Sequence, residues 1–197
     1  MSYTGLHPEQ QYVFEIAKGL GIVPRILNHT RPTVSCAEKL ELLKEESPAE
    51  YYDWTLDRIV KTLYLGENGS GNGKLIGIIT PEIGKIKQHE ILSSILGISK
   101  TQARNYLVST NRVPRGMSFG TCTPFPLESN IATERGKIAG FLIVDYKPIW
   151  NEDVNISIGG PEKTGLRTSM HLPYWVIPEI LKRQFGEDRM RLFKLNL

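Results

Sequence analysis

The chain has 197 residues, a formal net charge of +3, 40% hydrophobic and 23% charged residues, enough apolar content to bury one sizeable core. No apolar run approaches the roughly 18 residues that cross a bilayer, and the amino terminus shows no basic segment leading into an apolar one, so the expected setting is the cytoplasm. Two cysteines, Cys36 and Cys122, and four scattered histidines form neither a disulfide framework nor a compact ligand set, so neither a metal nor another cofactor is expected.

In chain order, Tyr12, Val13, Ile16 and Leu20 recur at helical spacing and Gly21 ends the run, which predicts a helical extension over residues 1–21 ahead of a domain over 22–197. Ile22 to Leu27 reads as a strand. Ser35 with Glu38 forms a capping box ahead of Leu40 and Leu43, and Ser47-Pro48 with Glu50 repeats the start signal. Arg58 to Leu65 and Leu75 to Thr80 are β-rich runs joined by a Gly/Asn segment, which predicts an antiparallel pair. No Gly-Lys-Ser/Thr closes that segment, which argues against a nucleotide phosphate loop. Gln88 to Leu96 carries Ile91, Leu92 and Ile95 in helical register up to Gly97, and Ser99 with Gln102 starts a further helix through about Val108. Strands at Ile138 to Val144 and Val154 to Ile158 and a helix from Tyr174 to Phe185 complete the pattern. The fold class that follows is mixed α/β, a single domain with a mixed, largely antiparallel sheet and helices packed outside it.

Three segments carry candidate chemistry. Lys61 shares one face of its strand with Ile59, Leu63 and Leu65, so it is either an edge lysine that reaches solvent or a charge in a cleft. Around Gly120-Thr121-Cys122-Thr123-Pro124 a strand end meets a rigid loop. Glycine there lets a ligand approach backbone N–H groups that can hold a developing oxyanion; a plain structural turn is the alternative. Cys122 invites a nucleophile role, but no histidine lies near it in sequence to activate it, and packing is the better reading. The third segment runs from Ile156 through Ile158, Gly159, Gly160 and Arg167 to Thr168, a strand with a glycine-rich exit that lines a small pocket or simply turns a hairpin. From Ile91 to Leu127 no acidic residue occurs while Lys100, Arg104, Arg112 and Arg115 do; such a stretch suits phosphates, or forms a solvated basic face.

Read together, these segments resemble the YbaK/EbsC family, which includes the editing domain inserted in bacterial prolyl-tRNA synthetases. Arg58-Ile-Val-Lys-Thr-Leu-Tyr-Leu65 looks like its Lys-Thr-Leu strand, Leu75 to Pro81 like the partner strand ending in Thr-Pro, and Gly120-Thr-Cys-Thr-Pro124 like its Gly-Gly-Ile-Ser-Pro loop. Ser157-Ile-Gly-Gly160 through Gly165-Leu166 is similar to the late Ser-Gly-Gly…Gly-Leu-Asp turn, and Leu27-Asn-His-Thr-Arg-Pro32 can be laid on an early strand exit carrying a histidine, here His29. The resemblance implies a curved, barrel-like sheet and a hydrolase that removes a wrong amino acid from the terminal adenosine of tRNA. It implies Lys61 and Gly120 as catalytic residues. His29, Thr121, Cys122, Thr123, Pro124, Ile158, Gly159, Gly160 and Arg167 would contact substrate. Lys100, Arg104, Arg112 and Arg115 would contact tRNA, and an aminoacyl-tRNA synthetase is a further implied partner. No protein nucleophile would be needed. Arg167 and Ile158 depart from the family pattern, and the late turn is two residues longer. The alternative is a module of the same fold that binds a tRNA end or a synthetase without turnover; a thiol hydrolase using Cys122 is the weaker third.

Overall fold

The computed structural model describes residues 6–66, 75–84, 87–105, 113–118, 120–131 and 138–194. The β-rich run around Lys61 forms β2 (Ile59–Gly66), and the next apolar run forms β3 (Leu75–Pro81). They pair antiparallel with Lys61 opposite Thr80, as the sequence predicts for adjacent strands; the joining residues 67–74 lie outside the described ones. Their neighbours are β1 (Arg25–Asn28), β4 (Ile138–Val144), β5 (Asp153–Ser157), β6 (Thr168–Pro173) and β7 (Met190–Phe193). All seven belong to one mixed sheet in the order β1-β6-β5-β2-β3-β4-β7.

Pairing is evenly divided, which corrects the expectation of a largely antiparallel sheet. β1–β6, β2–β3 and β5–β6 run antiparallel, whereas β2–β5, β3–β4 and β4–β7 run parallel. The cause is the helices between strands. A parallel neighbour needs a long crossover rather than a hairpin: α4 (Gln88–Leu96) with α5 (Lys100–Asn105) lies between β3 and β4, and α7 (Val176–Phe185) lies in the long stretch that brings the chain from β4 back to β7. β6 and β7 have no counterpart in the sequence reading, because Thr168 to Pro173 follows a turn and the terminal residues are short and polar-mixed.

The first helix, α1 (Tyr12–Gly19), buries Val13, Phe14 and Ala17 in the same core as Ile177, Ile180 and Leu181 of α7 and Ile79, Phe141, Ile156 and Met170 of the sheet. On a second cluster, α4 and α5 supply Ile91, Leu92 and Ala103 against Leu65, Ile78 and Leu142. The capping box at Ser35 and Glu38 starts α2 (Cys36–Glu46) as the sequence indicates, and α2 is followed by the one-turn α3 (Pro48–Tyr51). With Trp54 and Ile59, Leu43 and Tyr51 then form a third cluster. No helix among the described residues is long and apolar enough to cross a membrane.

One irregularity positions everything below. β2 and β5 touch over just two registered pairs, Ile59↔Asn155 and Val60↔Ile156, and then part. At the other end of the sheet the fit is tight: a Cβ on Gly140 would stand 2.8 Å from the carbonyl oxygen of Arg189, next to β7. Backbone cannot yield there as a side-chain tip would. Gly140→Ala is therefore expected to lower unfolding free energy by about 1 to 3 kcal/mol, read as a lower urea midpoint with an unchanged m-value.

Candidate functional site

Where β2 and β5 part, a cavity of about 480 Å³ opens. Side-chain hydrogen bonds between these strands and the Gly120–Thr123 loop stand where the strand ladder is missing. Tyr64 Oη of β2 donates to the Thr123 carbonyl at 2.9 Å, and Ser157 Oγ of β5 donates to the Thr121 carbonyl at 3.0 Å. Thr121 Oγ1 donates to the Gly160 carbonyl at 2.6 Å and accepts from the Ser118 amide at 2.9 Å. The loop is thus stapled to both strands while a gap stays open beside it.

Lys61 of β2 and Gly120 of the loop both line this cavity. So do Glu82 past the end of β3, Cys36 and Lys39 of α2, Cys122, and Asn155 of β5. Lys61 Nζ stands 2.5 Å from Glu82 Oε2, and the two side chains keep 27% and 20% of their exposure, so solvent screens the pair only in part. Gly120 takes φ +84°, a conformation that side chains resist, and a Cβ there would come within 3.3 Å of Leu166 Cδ2. The amide of Thr121 is used by the Ser118 carbonyl, but those of Gly120 and Cys122 make no backbone hydrogen bond among the described residues.

Neither thiol is activated. Burial pushes Cys122 up to about 11, and burial together with the Glu82 carboxylate pushes Cys36 up to about 12. Both are protonated at neutral pH, which removes the thiolate a nucleophile needs. Lys39 is in the opposite situation. Its Nζ is buried without a hydrogen-bond partner among the described residues, and burial lowers it to about 8, with Glu46 and Cys36 opposing. The neighbouring carboxylates are already committed: Glu82 to Lys61, and Glu46 to His29 Nδ1 at 2.8 Å and to the Thr30 amide at 2.7 Å. Two further buried atoms on the same wall, Thr33 Oγ1 and Thr62 Oγ1, also have no partner among the described residues.

The other residues singled out in the sequence lie off the cavity wall or outside the described residues. His29 is buried and does not line the cavity; it stands behind Asn155, bonded through Ser169 Oγ at 2.7 Å. Thr121, Thr123, Pro124, Ile158, Gly159 and Gly160 stay off the cavity wall and build the junction behind it. Gly159, at φ +81°, packs so closely on Thr123 that a Cβ would stand 2.9 Å from Cγ2. Arg167 is exposed and also off the wall; its backbone carbonyl accepts from the His29 amide at 2.8 Å. Of the basic residues, Lys100, Arg104 and Arg115 are exposed and none lines the cavity, Lys100 pairing with Glu90 at 3.3 Å. Arg112 lies outside the described residues.

Sequence reasoning missed Cys36, Lys39, Glu82, Asn155 and Leu166 as wall residues. A signal existed for Lys39: it falls on the inward ridge Cys36–Lys39–Leu40–Leu43 of α2, an apolar helical stripe interrupted by one charge. No group of three or more His, Cys, Asp or Glu among the described residues could hold a metal.

No protein-family profile matches the chain, and no curated protein does. A crystal structure of a hypothetical protein, APE2540, is similar with a TM-score of 0.54 at 16% identity, over 92% of this chain and 97% of that one. At that identity the likeness concerns the fold alone.

The unpartnered Lys39 ammonium yields a stability test. Its folded value of about 8 lies below the ordinary 10.5, so its charge opposes folding in full below pH 8 and ceases to do so as pH climbs to 10.5. Lys39→Met is expected to stabilise the protein at pH 7 by on the order of 3 kcal/mol. That advantage shrinks steadily through the alkaline window, as measured by urea unfolding at a series of pH values.

Proposed function

We propose that this chain is an aminoacyl-tRNA deacylase of the YbaK/EbsC type, with that family's curved, barrel-like sheet, acting in the cytoplasm on mischarged tRNA. The observation that carries the reading is the meeting of Lys61 and Gly120 on one cavity, although they stand 59 positions apart in the chain. The cavity's 480 Å³ lies within the roughly 300–1,000 Å³ that small ligands occupy, a range that suits an amino acid and the sugar bearing it.

In this reading the aminoacyl carbonyl oxygen points at the amides of Gly120 and Cys122, which make no backbone hydrogen bond among the described residues. Two backbone donors fixed by a stapled loop stabilise the oxyanion that forms as water adds to the carbonyl carbon. The bond from that carbon to the ribose oxygen then breaks, and the ribose oxygen leaves with a proton. Lys61, held by Glu82, anchors the polar groups of the ester or of the terminal nucleotide and so supplies positioning. A thiol nucleophile plays no part, in accord with the raised values of both cysteines. Exposed Lys100, Arg104 and Arg115, with Arg112, would meet the tRNA backbone, and an aminoacyl-tRNA synthetase would be a natural partner. The family departure at Arg167 sits on an exposed residue away from the cavity wall. It therefore gives little reason to prefer a module that binds without turnover.

A panel of mischarged tRNAs, incubated with wild type, Lys61→Ala and Cys122→Ser, tests this. Lys61→Ala is expected to slow deacylation about 100-fold or more, and Cys122→Ser to keep the rate within about twofold. Failure of the wild type to release any amino acid, at protein levels above substrate, removes the proposal.

A further inference from the structure

Behind the cavity wall runs a chain of buried hydrogen bonds whose direction is fixed at both ends. Asn155 Nδ2 donates to Ser169 Oγ at 2.7 Å, Ser169 Oγ meets His29 Nε2 at 2.7 Å, and His29 Nδ1 meets Glu46 Oε2 at 2.8 Å. An ionised carboxylate only accepts, so His29 Nδ1 carries the proton. Nε2 of the neutral ring then accepts from the Ser169 hydroxyl, which in turn accepts from the Asn155 amide. Every link is oriented. Burial lowers His29 against the pull of Glu46, which agrees with a neutral ring.

Glu46 itself is tied down, since its other oxygen accepts from the Thr30 amide and hydroxyl at 2.7 and 2.8 Å. Ser169 is fully buried, Asn155 is 1% exposed, and the His29 side chain is closed off from solvent. The relay therefore cannot be swapped for bulk water, and it holds Asn155 in one orientation. In that orientation Asn155 Oδ1 takes no hydrogen bond from the described residues, and it is not among the atoms sealed from solvent without a partner. Asn155 lines the cavity at the last registered contacts before β2 and β5 part.

We infer that Asn155 is a ligand-reading residue whose Oδ1 accepts a hydrogen bond from an N–H or O–H donor of the bound molecule, with Ser169, His29 and Glu46 as its positioning residues. An amide oxygen of fixed direction on a cavity wall rejects a ligand that covers it without bringing a donor, because the oxygen is then left dry and unpaired. Under the deacylase reading, on which the choice of ligand rests, two donors qualify. One is the amino group of the aminoacyl moiety and the other the ribose hydroxyl beside the ester.

The test uses stable adenosine analogues in which an amide replaces the ester: 3′-alanylamino-3′-deoxyadenosine, its 3′-propionylamino counterpart without the amino group, and its 2′-deoxy counterpart without the hydroxyl. Calorimetric Kd values are measured for each on wild type, Asn155→Ala, Ser169→Ala and Ser169→Thr. Removing one of the two donors is expected to weaken wild-type binding about tenfold or more, and the arm that shows the loss identifies the donor. In Asn155→Ala that loss should fall below about twofold. Ser169→Ala should narrow it and Ser169→Thr, which keeps the hydroxyl, should restore it. This last pair decides the matter if Asn155→Ala proves unfolded in a melting curve.

Absence of any loss in wild type, an undiminished loss in Asn155→Ala, or no binding of any analogue overturns the inference. Donor-dependent binding that needs Asn155, without hydrolysis of any mischarged tRNA, leaves this inference standing and removes the deacylase reading. Lys61-dependent hydrolysis with no role for Asn155 does the reverse.

Discussion

The structure turns on a sheet whose two halves are joined by two residue pairs. A strand edge released from its ladder leaves amide and carbonyl groups that must find partners or water. Here the donors that bridge the gap are hydroxyls: Tyr64 of β2 and Ser157 of β5 donate to carbonyls of the loop between them, and Thr121 of that loop donates to the Gly160 carbonyl just past β5. Three side-chain bonds hold the halves at a distance that strand pairing would have closed. The cavity is the space that results, and Lys61 reaches it because β2 has lost its neighbour at that residue.

Charge and polarity around the gap are arranged at some expense to stability. Lys39 Nζ, Thr33 Oγ1 and Thr62 Oγ1 are buried on this wall without hydrogen-bond partners among the described residues. Each such group ordinarily destabilises a fold by roughly 1 kcal/mol or more. Their clustering on one cavity marks where local consistency is given up, and functional sites are where folds do this. The acidic groups nearby do not relieve it, being held by Lys61, His29 and Thr30.

Much of the fold was legible because local signals and tertiary outcome agree. The Ser35/Glu38 capping box, the β2–β3 pair and the helix ending at Gly97, which adopts φ +64°, all follow from short-range chemistry. Lys61 could be picked out since a charge on an apolar strand face is visible in one dimension, and Gly120 since a glycine beside a Thr/Pro-rich segment signals unusual backbone. Thr121, Thr123, Gly159 and Gly160 drew notice for the same reason and turned out to shape the junction instead of facing the cavity. Spacing shows that a backbone is special, but it does not show which side of it a ligand meets. Asn155, Ser169 and Glu46 gave no signal at all. Their role depends on three segments that strand order brings together, β5 beside β6 and β6 beside β1.

That convergence also couples the cavity's parts. α2 contributes Cys36 and Lys39 to the wall near its start, and at its last residue Glu46 grips His29 just past β1. Through Ser169 of β6 the same grip reaches Asn155 of β5. A shift of α2 away from the sheet would therefore break the relay at Glu46 as it moved Lys39 and Cys36, so those residues and the acceptor on the opposite strand keep one spacing or lose it together. A neutral ring suits the middle of such a tie. Protonated, His29 would have to turn its Nε2 into a donor toward Ser169, and the orientation of Asn155 would no longer be determined. Burial that disfavours the imidazolium thus keeps the direction of an oxygen two residues away.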